Sequence, residues 1–147
     1  MATTRRAEVT WTGDLAKGSG VVTAASSHLF NEAPVSWAAR TETSGGKTSP
    51  EELLAAAHAS CFSMALSHGL TGAGKPPTKL QVSAVVTFAQ KPEGGWGVSE
   101  SALEVTGTVP GMDQAAFQKA AEGAKDGCPI SQALKNNVKL SVKATLA

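Results

Sequence analysis

Three things are scarce in this sequence: clustered basic charge, long apolar runs and cysteine. Its 13 Lys and Arg nearly balance 12 Asp and Glu, for a net charge of +1, and Arg5-Arg6 is too short to form a patch. Nucleic acid is therefore excluded as the main partner, since phosphate recognition needs a basic surface. The most apolar segment, Leu53 to Leu66, is interrupted by His58, Ser60 and Ser63. It falls short of the roughly 20 residues that span a bilayer, so no membrane partner is expected. The opening MATTRRAEVTW lacks the apolar core of a signal peptide, which makes a cytoplasmic location the expectation. In that compartment two cysteines do not form a permanent staple. They are buried small hydrophobes, metal ligands or working thiols. No CxxC or HxxxH spacing accompanies them, so neither a metal nor another cofactor is expected, although His28, His58 and His68 are available.

What is present belongs to a folded globular chain. It has 147 residues, 41% hydrophobic and 17% charged, with no repeat and no linker, which is read as one domain over 1–147. Residues 7–12 and 20–26 alternate as strands, and 35–43 (VSWAARTET) reads as a third. A helix then begins at Ser49 or Thr48, with Pro50 in its first turn and Glu51 and Glu52 at its positive end. It is expected to run to about Gly69, apolar nearly all round, and so to need cover from a second subunit. Strands at 80–89 and 97–109 form a hairpin, and Asp113 caps a second helix to about Lys125. Cys128-Pro129 opens a short third helix, and 138–146 alternates as a last strand. The predicted order is βββ-α-ββ-α-α-β, an α+β pattern.

Several residues could carry chemistry. Cys61 lies inside the long apolar helix, where packing alone would leave it inert. Cys128 stands at the start of a helix, where unpaired backbone N–H groups stabilise a thiolate, so local chemistry nominates it as the attacking thiol. His58 precedes Cys61 by three residues on the same face, as a base or as a packing residue. Glu51 lies ten residues before Cys61, about 15 Å along a helix axis. It therefore either complements its own helix start or serves a neighbouring copy. Arg40 is either a surface residue or a buried cation paired with an acid. Near a cysteine it would favour the thiolate.

SPEELLAAAHASCFSMALS, followed by GCPISQALK, resembles the OsmC/Ohr family of organic hydroperoxide resistance proteins. WTGDLAKGSGVV, VSWAARTE and VPGMD extend the likeness over almost the whole chain. The resemblance implies an intertwined homodimer with antiparallel sheets wrapped around long central helices. It also implies thiol-dependent reduction of organic hydroperoxides to alcohols, in oxidative or osmotic stress defence. It places the peroxidatic cysteine at Cys61 and the resolving cysteine at Cys128, overruling the local nomination of Cys128. It makes Arg40 and Glu51 the groups that orient and activate the thiol, with Lys17 as a secondary cation. An external dithiol, such as a lipoylated protein, would return both cysteines to thiols. Phe62, Met64 and Trp37 are the expected walls of an apolar substrate pocket. A redox-sensing or scaffold dimer using the same cysteine pair as a switch is the alternative.

Overall fold

In the computed structural model, which describes residues 1–147, the alternating N-terminal segments form an antiparallel meander. Strand β1 (Glu8–Thr12) pairs with β2 (Ser19–Thr23), and β2 with β3 (Ala33–Val35). Asp14 closes the first turn, its carboxylate accepting the amides of Ala16 and Lys17 at 2.9 Å each. The third strand stops at Val35 and not at the expected Thr43. Helix α1 (Trp37–Thr41) takes over, because Ser36 Oγ accepts the Ala39 amide at 3.2 Å and caps it. Over so few residues alternation does not separate strand from helix, and Ala-Ala-Arg favours the helix once capped. Arg40 thereby moves from a strand to the last turn of a helix.

The start of α2 (Pro50–Gly72) is built as its sequence predicts. Ser49 Oγ accepts the Glu52 amide at 3.1 Å, and the Thr48 hydroxyl donates to the Glu52 carboxylate at 2.6 Å. The helix continues past Gly69, and at 23 residues its length and composition would suffice to cross a bilayer. That corrects the expectation of no segment long enough, which ended the apolar run at Leu66. His58, Phe62, Leu66 and Leu70, spaced by one helical turn, form a fully buried face. Ala56, Ala57 and Met64 stay exposed, so within one chain α2 is covered on one face only.

Contacts divide the chain into two units, Met1–Leu53 and Leu54–Ala147. In the second, β4 (Lys79–Gln90) and β5 (Trp96–Thr108) make the predicted hairpin. Its turn uses Gly94 and Gly95 at φ 94° and 80°, backbone that glycine adopts without penalty. Asp113 caps α3 (Gln114–Gly127) through the Ala116 amide at 2.8 Å, and α4 (Pro129–Leu134) follows. Strand β6 (Lys139–Leu146) then pairs with β5 in parallel, a departure from the all-antiparallel expectation. The α3–α4 crossover supplies the length of chain that a parallel return requires. Gln114 and Gln118 hydrogen-bond backbone groups of Val142, Ala144 and Leu146, sealing β6 with side-chain amides.

The core of this unit joins Phe62, Leu66 and Leu70 of α2 to Leu103, Val105 and Val109. Phe117, Ala121, Cys128, Val142 and Ala144 complete it. Gly107 is required by close packing: a Cβ there would collide with the ring of fully buried Phe117 and sit 3.1 Å from Leu80. Gly107→Ala is expected to cost about 1–3 kcal/mol through overpacking, read as a lower urea midpoint at unchanged slope.

Candidate active site

The two thiols come together within Leu54–Ala147. Cys61 is half-buried on α2, Cys128 is fully buried at the junction of α3 and α4, and both are free. They lie close enough for Cys128 to act on the titration of the Cys61 thiol. Ile130, in the first turn of α4, donates its backbone N–H to the Cys61 sulfur. First-turn amides have no acceptor inside their own helix, which leaves this one free to do so. Cys128 makes no side-chain capping bond. The donor that local reasoning assigned to Cys128 is thus spent on Cys61. Burial nevertheless pushes the Cys61 thiol above its ordinary range. The Ile130 amide pulls it back, and Cys128 pushes it up again through its hydrogen bond and charge.

His58 is not a free base. Its Nδ1 bonds Ser101 Oγ at 2.7 Å and its Nε2 bonds Ser131 Oγ at 2.8 Å, and all three residues are buried. A neutral imidazole has one donor and one acceptor nitrogen, so one serine accepts and the other donates. Burial holds the His58 pKa below its ordinary 6.5. In the unfolded chain His58 takes up a proton near 6.5, while in the folded chain it resists. Its contribution to stability is therefore present above that value and lost as pH falls below it. The urea midpoint is expected to fall between pH 7 and pH 5, and His58→Gln to flatten that slope.

Within Met1–Leu53, Arg40 and Glu51 form a bidentate pair. Arg40 Nε donates to Oε1 at 3.0 Å and to Oε2 at 3.1 Å, and Nη2 donates to Oε1 at 2.7 Å. The Arg40 side chain is 28% exposed and that of Glu51 9%. Trp37 lies beneath the guanidinium, 5.9 Å from ring centre to Cζ. Arg40 is thus a half-buried cation paired with an acid, and Glu51 bonds it as well as standing in the first turn of α2. Val9, Trp11, Leu15, Val22 and Leu53 join Trp37 and Arg40 around a cavity of about 350 Å³ in this unit. Of the expected pocket walls, Trp37 is there. Phe62 is instead sealed in the core, and Met64 is 66% exposed on α2. Lys17 lies exposed in the β1–β2 turn, and the cation bonded to Glu51 is Arg40.

The sequence model of OsmC-like proteins matches residues 43–143, a stretch containing Glu51, Cys61 and Cys128. The chain belongs to the OsmC-like family. Peroxiredoxin OsmC of Escherichia coli (strain K12) is 40% identical over 136 residues, covering 92% of this chain and 93% of its own. An organic hydroperoxide resistance protein of Xanthomonas axonopodis pv. citri is 36% identical over 104 residues, 70% of this chain and 69% of its own. The crystal structure of OhrB of Bacillus subtilis superposes with a TM-score of 0.72 at 26% identity, covering 95% of this chain and 98% of that one. In this OsmC-like chain three groups escaped sequence reasoning: the Ile130 amide, Ser101 and Ser131. A backbone amide carries no residue signature, and the serines lie 43 and 73 residues from His58. Nothing in local spacing announces either one.

Proposed function

We propose that this OsmC-like protein is a peroxidase that reduces organic hydroperoxides to alcohols with Cys61, in defence against oxidative or osmotic stress. The observation that carries the reading is the proximity of two free thiols, one of them, Cys61, also holding a backbone N–H donor. Relatives named for peroxiredoxin activity and for organic hydroperoxide resistance support it. The Cys61 thiolate attacks the distal oxygen of ROOH and the O–O bond breaks. The alkoxide takes a proton and leaves as ROH, with Cys61 now a sulfenic acid. The Cys128 thiol condenses with it, releasing water and forming a disulfide. An external dithiol, such as a lipoylated protein, returns both cysteines to thiols as it becomes a disulfide itself.

Burial leaves Cys61 a poor thiolate on its own, so a cation is needed. Arg40 is fixed to Glu51, and the ten-residue spacing sets Glu51 about 15 Å along α2 from Cys61. We therefore assign the activating Arg40–Glu51 pair of each site to the second copy of a homodimer. The exposed Ala56, Ala57 and Met64 on α2 suit such a partner. The apolar cavity beside Arg40 favours an organic group on the peroxide. With dihydrolipoamide as reductant, cumene hydroperoxide is expected to be consumed faster than hydrogen peroxide. Equal rates would remove the organic preference, and no consumption of either would overturn the assignment.

A further inference from the structure

We infer that His58 is a positioning residue for Cys61: through Ser131 it holds the Cys128–Ser131 stretch against α2, keeping the Ile130 amide and the Cys128 sulfur on the Cys61 thiol. The inference rests on the peroxidase reading for its purpose, but its geometry stands apart from it. His58 lies one turn before Cys61 on α2, and Ser131 directly follows Ile130. The bond between their side chains is thus one helical turn from the thiol on α2 and one residue from its amide donor on α4. The other end of the imidazole is tied to Ser101 on β5, the central strand of its sheet. Ser101 pairs with Val86 on one side and Leu140 on the other, a fixed point in the fold. The α4 segment is only six residues long and begins without a side-chain cap.

The choice of residue supports this role. A leucine or methionine at position 58 would fill a core site without the desolvation that a buried imidazole entails. A buried polar group is tolerable only when every arm is bonded, and no buried side-chain nitrogen or oxygen here lacks a partner. The chain Ser101–His58–Ser131 is also directional, because a neutral ring donates at one nitrogen and accepts at the other. It fixes the orientation of α4 as well as its distance. Catalysis makes use of that, since Cys128 must leave its thiol state, bond to Cys61 and return to the same place in each cycle.

The test separates positioning from mere packing by comparing the two serines, which are equally part of the network. In the reduced full-length Cys128→Ser protein, the Cys61 thiolate is followed by its absorbance at 240 nm across a pH titration. Ser131→Ala is expected to raise the midpoint by about one pH unit, about tenfold less thiolate at a fixed pH below it. Ser101→Ala should move it by much less, and Ser131→Thr, which keeps the hydroxyl, should restore it. An unmoved midpoint in Ser131→Ala, or equal shifts in both alanine variants, would overturn the inference. If Ser131→Ala does not fold, two isosteres replace it. The amide of His58→Gln reaches the Nε2 position and keeps the Ser131 arm, whereas His58→Asn reaches only the Nδ1 position and loses it. A raised midpoint in the Asn variant alone supports positioning, and equal midpoints overturn it. The titration uses no peroxide. An inactive wild-type protein with a Ser131-dependent midpoint would sink the peroxidase reading and leave this one standing.

Discussion

Cys61→Ser is expected to lower hydroperoxide consumption to the rate seen without protein, whereas Cys128→Ser should retain one stoichiometric turnover. The two thiols are neighbours, and proximity alone does not say which one attacks. The expectation that Cys61 attacks rests on their surroundings. Cys61 is half-buried and receives the Ile130 N–H, while Cys128 is sealed in the core and its side chain makes no capping bond. A serine at position 61 would need a general base to become nucleophilic. The nearest imidazole on α2 has both nitrogens committed to Ser101 and Ser131. The first chemical step therefore disappears. In Cys128→Ser that step survives, but the Cys61 sulfenic acid has no thiol to condense with. A second peroxide then carries it to the sulfinic acid, beyond recovery by an ordinary dithiol. Peroxide consumption against time would show a burst equal to the protein concentration and then a slower loss of one further equivalent, and mass spectrometry would show first one and then two oxygens added at Cys61. Turnover retained in Cys61→Ser would sink the assignment. Sustained turnover in Cys128→Ser with a dithiol present would mean that the reductant attacks the sulfenate directly.

The order of elements was readable wherever a local signal decides. Ser49, Pro50 and Asp113 mark helix starts by their own hydrogen-bonding chemistry, and the cap at Asp113 forms as expected. The failures came where local and tertiary signals part. VSWAARTET alternates for a few residues, and one serine hydroxyl turned it into a helix. The parallel pairing of β6 depends on which edge of β5 is left open, which no property of residues 139–146 reports. The thiols show the same division. That Cys128 stands at a helix start is sequence information. That the adjacent amide acts on Cys61 follows from how α4 packs on α2, and no property of the residues around Cys128 reports it.

The second large effect is a rescue. Cys61→Ser and Arg40→Ala are each expected to be nearly inactive as pure homodimers, and a co-expressed mixture of the two to regain about a quarter of wild-type turnover. The figure follows from symmetry: random assembly makes about half the dimers mixed, and one of the two sites in each mixed dimer is whole. That whole site takes Cys61 from the Arg40→Ala chain and Arg40 from the Cys61→Ser chain. If each chain used its own Arg40, every site in the mixed dimer would lack one group and the mixture would stay inactive. Arg40→Lys is the useful companion. Glu51 holds the guanidinium through two nitrogens in a planar fork, which a single ammonium does not reproduce. Lysine keeps the charge but not its placement, so Arg40→Lys should remain well below wild type even though net charge is unchanged. Tandem affinity tags on the two chains allow the mixed dimer to be isolated, where the expected activity is about half that of wild type. Activity at background in that purified mixed dimer would place Arg40 and Cys61 in the same chain's site.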